Sequence, residues 1–455
     1  MDCDTERQLE ETRHDASTSS AFARQLAGIC FVVSLLISLT QLGHTSLLGP
    51  LDFGPKYAGG LAARQHADPY DNKVILRIEQ SQEGYTVGYP YLDPPPFTLI
   101  MVVFAHISFH SAALFWFLII VACVIGSGIL VLLLLNEKLN NPLLLLFVAA
   151  ATLDFAPARN GLGLGQSDPL VAVLSLGGVL LAIRQRSFMG GILQSLALMK
   201  PQVSLLALIA LGASVRARIF LGVAAGLVVV TIAVELIRSS GLSLGTYTRW
   251  ATRAAGTSHV QLTTLHVAEG ALAIVALVLI VHRIVKNGRA RTGESLVLLY
   301  SLGILLNAIV APLVYLNLQS DILLMLPVAI LVKRELGSAL QARSKDLDWI
   351  PSIVSGVLAG CLLGDSLLAI TFYSGRSHAL LPAAITAFLL MGISFLYVPL
   401  RRAAAVAMGV TLFLTLLPFS PSFFDGLAVA VSFILLLLFL YTPRAIATGT
   451  DTQLL

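Results

Sequence analysis

From about residue 22 onward the chain consists of long apolar runs cut by short polar interruptions, and these runs set the predicted elements. They lie at about 22–43, 111–135, 141–155, 168–184, 188–200, 203–215, 219–237, 267–285, 294–313, 318–332, 350–373, 378–400, 403–419 and 423–441. Many approach the ~20 residues that a helix needs to cross a bilayer. No ten-residue alternation of apolar and polar positions is present, and hydrocarbon does not tolerate unpaired backbone, so the spans are helices and a β-barrel is excluded. The segment 97–109 is shorter and follows Pro94, Pro95 and Pro96, which predicts an interfacial or re-entrant helix.

Composition agrees with that pattern. Hydrophobic residues make up 56% of the chain and charged residues 12%, about half the charge of a soluble domain, and the mean hydropathy is +0.85. The expected fold class is therefore an all-α polytopic membrane protein of about 12–14 spans. The first run is too long for the apolar part of a signal peptide and reads as an uncleaved span. Cys3, Cys30, Cys123 and Cys361 have neither disulfide-framework nor metal-ligand spacing. A net charge of +4 without a basic-aromatic stripe points to lipid headgroups and to no nucleic acid.

Lys and Arg collect on the cytoplasmic side of a membrane protein, which orients the runs. With a cytoplasmic amino terminus and 97–109 lying in the interface, the inside receives Lys138, Arg184, Arg186, Arg216, Arg218, the 283–291 cluster, Lys333, Arg334, Arg343, Lys345, Arg401 and Arg402. Making 97–109 a full span would send Arg184, Arg186, Arg216 and Arg218 outward. The expected organisation is a cytoplasmic tail at 1–21, a membrane module at 22–335 with an external loop at 44–110, further helices at 336–441, and a cytoplasmic tail at 442–455. Between the Arg184/Arg186 and Arg216/Arg218 pairs the chain must rise and return as two short helices, with Lys200, Pro201 and Gln202 at their outer apex.

The polar groups gather on that outer side: Asp52, Lys56, Asp68, Asp71, Asp93, Arg159, Asp168, Lys200, Arg249, Arg253, His259 and Asp321. A charge at mid-membrane costs about 2.5–3.5 kcal/mol, so such a gathering marks a shared polar cavity. A carboxylate serves as general base to a hydroxyl, and Lys or Arg holds a leaving phosphate through charge-assisted hydrogen bonds. That combination suits transfer of a group from a lipid phosphate.

Four stretches carry a family resemblance: LDFGPKYAGGLAARQHADPYD at 51–71, YPYLDPPPF at 89–97, NGLGLGQSDPLVAVL at 160–174 and GGILQSLALMKPQVSLLAL at 190–208. In order and in register with the spans, they resemble glycosyltransferase family 87, the polyprenyl-phosphate-mannose-dependent mannosyltransferases of the GT-C superfamily. The resemblance implies a GT-C-type helical bundle with interfacial helices in the first external loop. It implies transfer of a hexose, mannose foremost, from a polyprenyl-phosphate carrier to a glycolipid or glycan hydroxyl at the outer face of the plasma membrane, with inversion and without metal or other cofactor. It makes Asp52 the general base and assigns substrate contacts to Lys56, Tyr57, Asp68, Tyr70, Tyr91, Gln166, Asp168, Lys200 and Gln202. At 311–327, APLVYLNLQSDILLMLP lacks the histidine that many members carry, and Asp321 is the residue that matches.

Each of these residues also has a structural reading. Asp52 stands where it would cap a helix, Asp68 and Asp71 flank the turn at Pro69-Tyr70, and Asp93 precedes three prolines. Gln166 and Asp168 are placed to cap the helix at Pro169, and Lys200 to snorkel. Arg249 and Arg253 lie four apart beside Trp250, where they would meet a lipid phosphate or anchor the interface. Glu79 and Glu83 match none of the four stretches and are expected to be dispensable loop residues. As wholes, a secondary transporter and a lipid-linked glycan polymerase or ligase remain the alternatives.

Overall fold

The computed structural model describes residues 52–81, 90–140, 142–214, 218–236, 293–314, 322–327 and 329–330, with positions 25, 28, 29, 32, 36 and 275. Among these the regular elements are helices, with no strand. The runs at 350–373, 378–400, 403–419 and 423–441 and both proposed tails lie outside the described residues, as do nearly all of 22–43 and 267–285.

Two helices, α1 (Phe53–Arg64) and α2 (Asn72–Ser81), occupy the first polar stretch. The loop position predicts one buried face for α1, yet Phe53 through Gly60, Ala62 and Ala63 are all buried. Its small residues allow this, because α1 lies against α2, α3 (Pro95–Phe104) and α4 (Phe109–Leu134). α2 is amphipathic, with Ile75 and Ile78 inward and Lys73 and Arg77 exposed. Glu79 is buried in α2 rather than lying in a solvated loop, and Glu83 lies outside the described residues.

α3 has ten residues, about 15 Å, half the hydrocarbon thickness. Its prolines sit at the start, where the missing N–H costs nothing. The short helix at 97–109 is thus present, and a full span there is not. Ser108 caps α4, accepting a hydrogen bond from the Ser111 N–H. α4 is 26 residues long and, among the described residues, is the one helix long and apolar enough to cross a membrane. It buries Ala112, Trp116, Ile120 and Val124 and exposes Leu114, Phe115, Leu118 and Ile119.

The remaining helices are α5 (Pro142–Asp154), α6 (Ala156–Leu164), α7 (Asp168–Ile183), α8 (Ser187–Ala197), α9 (Pro201–Ser214), α10 (Arg218–Leu236) and α11 (Gly293–Val314). α7, α10 and α11 coincide with predicted runs to within a residue. The two short helices about Lys200 are α8 and α9, but they scarcely pack on each other. α8 lies on α10 and α7, and α9 lies on α11. At the α8–α10 crossing a side chain on Gly191 would strike the Ile219 carbonyl, and one on Gly222 the Phe188 carbonyl. Backbones that close leave no room for any residue but glycine.

Candidate functional site

The end of α6 builds the floor of the site. Gly165 takes φ 70°, a left-handed conformation that glycine adopts without strain, and Gln166 N–H returns to the Gly161 carbonyl at 2.8 Å. This turn aims Gln166 and Asp168 back over the helix end. The Trp116 indole N–H of α4 donates to the Gly165 carbonyl at 2.9 Å, and the Asp52 N–H to the Leu164 carbonyl at 3.1 Å. The start of α1 is therefore held against the end of α6, although more than a hundred residues separate them.

Asp52 occupies the N-cap position of α1, and its side chain makes no cap hydrogen bond. Its carboxylate instead accepts from the Gln166 amide N–H. Gln166 Oε1 accepts from Lys56 Nζ at 3.3 Å and from Lys200 Nζ at 3.0 Å. Lys56 also donates to the Asp52 backbone oxygen at 3.1 Å and stands 3.7 Å from the Asp93 carboxylate. Lys200 pairs with Asp168 Oδ2 at 2.5 Å, and Asp168 is wholly buried in the first turn of α7.

Three carboxylates, of which Asp52 and Asp93 are partly exposed, and two buried ammonium groups thus share one cluster around a neutral amide. Lys200 lies in the turn between α8 and α9. Burial by itself would lower its pKa, but the carboxylates of Asp168, Asp93 and Asp52 and the hydrogen bond to Asp168 outweigh that, so it sits above the usual lysine value and stays charged. An ammonium has three N–H donors, and two of them go to Asp168 and Gln166.

The tyrosines brace the rim. Tyr57 donates to the Ile107 carbonyl and Tyr70 to the Asp93 carbonyl, each at 2.8 Å. Tyr91 shares a 2.8 Å hydrogen bond with Thr98 and lies 5.5 Å from the Tyr70 ring. Burial raises the pKa of Tyr57, partly opposed by Arg64, and pushes Tyr91 up further, with Tyr70 and Asp93 adding to it. Both phenols are hydrogen-bonding groups at neutral pH. Asp68 Oδ1 accepts from the Tyr70 N–H and Asp71 Oδ1 from the Lys73 N–H, both at 2.9 Å, which are turn contacts.

The structure therefore brings Asp52, Lys56, Gln166, Asp168 and Lys200 together and places Tyr57, Asp68, Tyr70 and Tyr91 around them as supports. Arg249, Arg253 and Asp321 lie outside the described residues, as does the side chain of Gln202. Asp93, which reads from sequence as turn chemistry, contributes its carboxylate to the cluster. A second polar group has no role assigned from sequence, although Gln194 lies in the 190–208 stretch: Ser175 of α7 and Gln194 of α8 exchange hydrogen bonds, and Ser175 also meets Tyr300 of α11. Polar residues inside otherwise apolar runs are its only sequence signal.

Residues 91–269 match the model of glycosyltransferase family 87. The match spans 179 of the 455 residues, and over that segment the chain is similar to glycosyltransferase family 87. Among curated proteins and among solved structures, no match was found. The matched segment holds Asp93, Gln166, Asp168 and Lys200. Asp52 and Lys56 lie ahead of it and join it through the contacts above. Among the described residues, no group of three or more His, Cys, Asp or Glu is arranged to hold a metal ion.

Proposed function

We propose that this glycosyltransferase is a polytopic membrane enzyme that moves a hexose, mannose by the family resemblance, from a polyprenyl-phosphate carrier to a hydroxyl of a glycolipid or glycan. The observation that carries the reading is the orientation of Asp52: its carboxylate is turned away from capping and into a cluster with two buried lysines. A carboxylate so placed can take the proton of the acceptor hydroxyl as its oxygen bonds to the anomeric carbon. The bond from that carbon to the phosphate oxygen breaks, and polyprenyl phosphate leaves with the electron pair. One displacement inverts the anomeric centre.

Lys200 has a donor left for the leaving phosphate, and Arg249 and Arg253 are the next candidates for that contact. The site belongs to the outer face of the plasma membrane in this reading, because the starts of α4 and α7 and the α8–α9 turn share one end of the bundle, while Arg184 and Arg186 at the end of α7 and Arg218 at the start of α10 lie at the other. The chemistry calls for no nucleotide and no metal. Purified protein incubated with membrane lipids and polyprenyl phosphates bearing tritiated mannose, glucose or galactose tests it. Transfer of label to a lipid or glycan product is expected, and no transfer from any of the three overturns it.

A further inference from the structure

The Gln166 side chain is fixed at both ends by groups of opposite demand. Lys56 and Lys200 can only donate, so the atom between them is the carbonyl oxygen, and the NH₂ end is left facing Asp52. Its backbone is held as firmly by the Gln166 N–H bond to Gly161 and the indole bond to Gly165. We infer that Gln166 is the positioning residue for Asp52, aiming its carboxylate while holding both lysines on the far side of the amide. This rests on Asp52 being the general base.

A neutral amide is suited to that task. An N–H donor favours the ionised carboxylate, whereas an ammonium in direct contact would drain the basicity that proton abstraction needs. Here both ammonium groups are drawn to the far side of the amide. Lys56 meets Asp52 through the backbone oxygen and faces Asp93, and Lys200 is paired with Asp168. The charged groups around Asp52 are thus Lys56 of α1, Asp93 ahead of α3, Asp168 of α7 and Lys200 of the α8–α9 turn, with Gln166 between them and the carboxylate.

Gln166→Glu separates this role from a purely structural one. Glutamate keeps the oxygen that the two lysines reach and deletes the N–H aimed at Asp52. With two lysines against it, the introduced carboxylate stays ionised, so Asp52 takes up the proton that the two acids share and ceases to be a base. The assay uses purified full-length protein, membrane lipids and the three tritiated polyprenyl-phosphate sugars, with kcat and KM measured across pH for wild type, Asp52→Asn and Gln166→Glu. The expected result is a kcat lowered about tenfold or more near neutral pH, an acid limb moved up by about one pH unit or more, recovery at higher pH, and donor KM within about twofold. A folded Gln166→Glu protein with the wild-type acid limb overturns the inference. Full activity of Asp52→Asn overturns the base assignment instead. A readout without turnover is carbodiimide modification, which requires a protonated carboxyl, followed at Asp52 by mass spectrometry. Labelling at neutral pH should rise in Gln166→Glu, and unchanged labelling in that folded variant overturns the inference.

Discussion

Asp52 and Asp168 both stand at the start of a helix, yet their surroundings give them different work. Asp168 is buried without exposure and paired to Lys200, so its charge is committed, while Asp52 meets a neutral amide and keeps a lone pair for a substrate proton. Asp52→Asn retains the shape and removes the basic charge. Transfer should fall by about 10²–10⁴-fold with donor KM and unfolding temperature near wild type. Retention of more than about a tenth of the turnover would move the base elsewhere. Lys200→Ala has a different signature, because it strips a buried carboxylate of its cation. A loss of about 3–5 kcal/mol in stability is expected, largely recovered in the Lys200→Met/Asp168→Asn double variant, as read by thermal unfolding in detergent. If the single variant were as stable as the double, the pair would have no structural weight.

At the scale of elements, the site depends on how closely short helices cross. α8 has eleven residues, about 17 Å, too short to be held by its own length across a bilayer. It is positioned by the Gly191–Gly222 approach to α10 and by the Gln194–Ser175 exchange with α7. The turn that follows it carries Lys200. Gly191→Val should therefore force α8 and α10 apart, costing about 1–3 kcal/mol of stability and lowering activity with it. Thermal unfolding and the transfer assay read both, and a variant with wild-type values in each would show that the crossing is not what seats Lys200. The helices themselves are legible from the apolar runs to within a residue for α7, α10 and α11. The near-complete burial of α1 is not, because its sequence is that of a loop helix and only the neighbouring α2, α3 and α4 enclose it.

For the whole molecule, the proposed outward sidedness of the site rests on the distribution of charge and on which helix ends meet. Single cysteines in a background without the native four test it in intact cells. Lys73→Cys on α2 is expected to react with a membrane-impermeant maleimide, and Lys138→Cys and Arg186→Cys, both at exposed positions, only after permeabilisation. The opposite pattern would invert the topology.

Hydropathy by itself determined that the apolar runs among the described residues are helical, where α7, α10 and α11 run and that the helix following Pro94 is short. These are local properties, set by which residues lipid or protein can accept along a few turns of backbone. Charge asymmetry likewise supplied the expectation of which polar residues share one side. The pairings were decided only in three dimensions. Nothing local distinguishes Asp52 as a cap from Asp52 as an acceptor of the Gln166 amide, because the choice depends on a partner 114 residues away, brought there by the left-handed turn at Gly165 and the Trp116 bond to it. Asp93 is the same case: its sequence neighbours are prolines, and only the fold sets Lys56 beside its carboxylate.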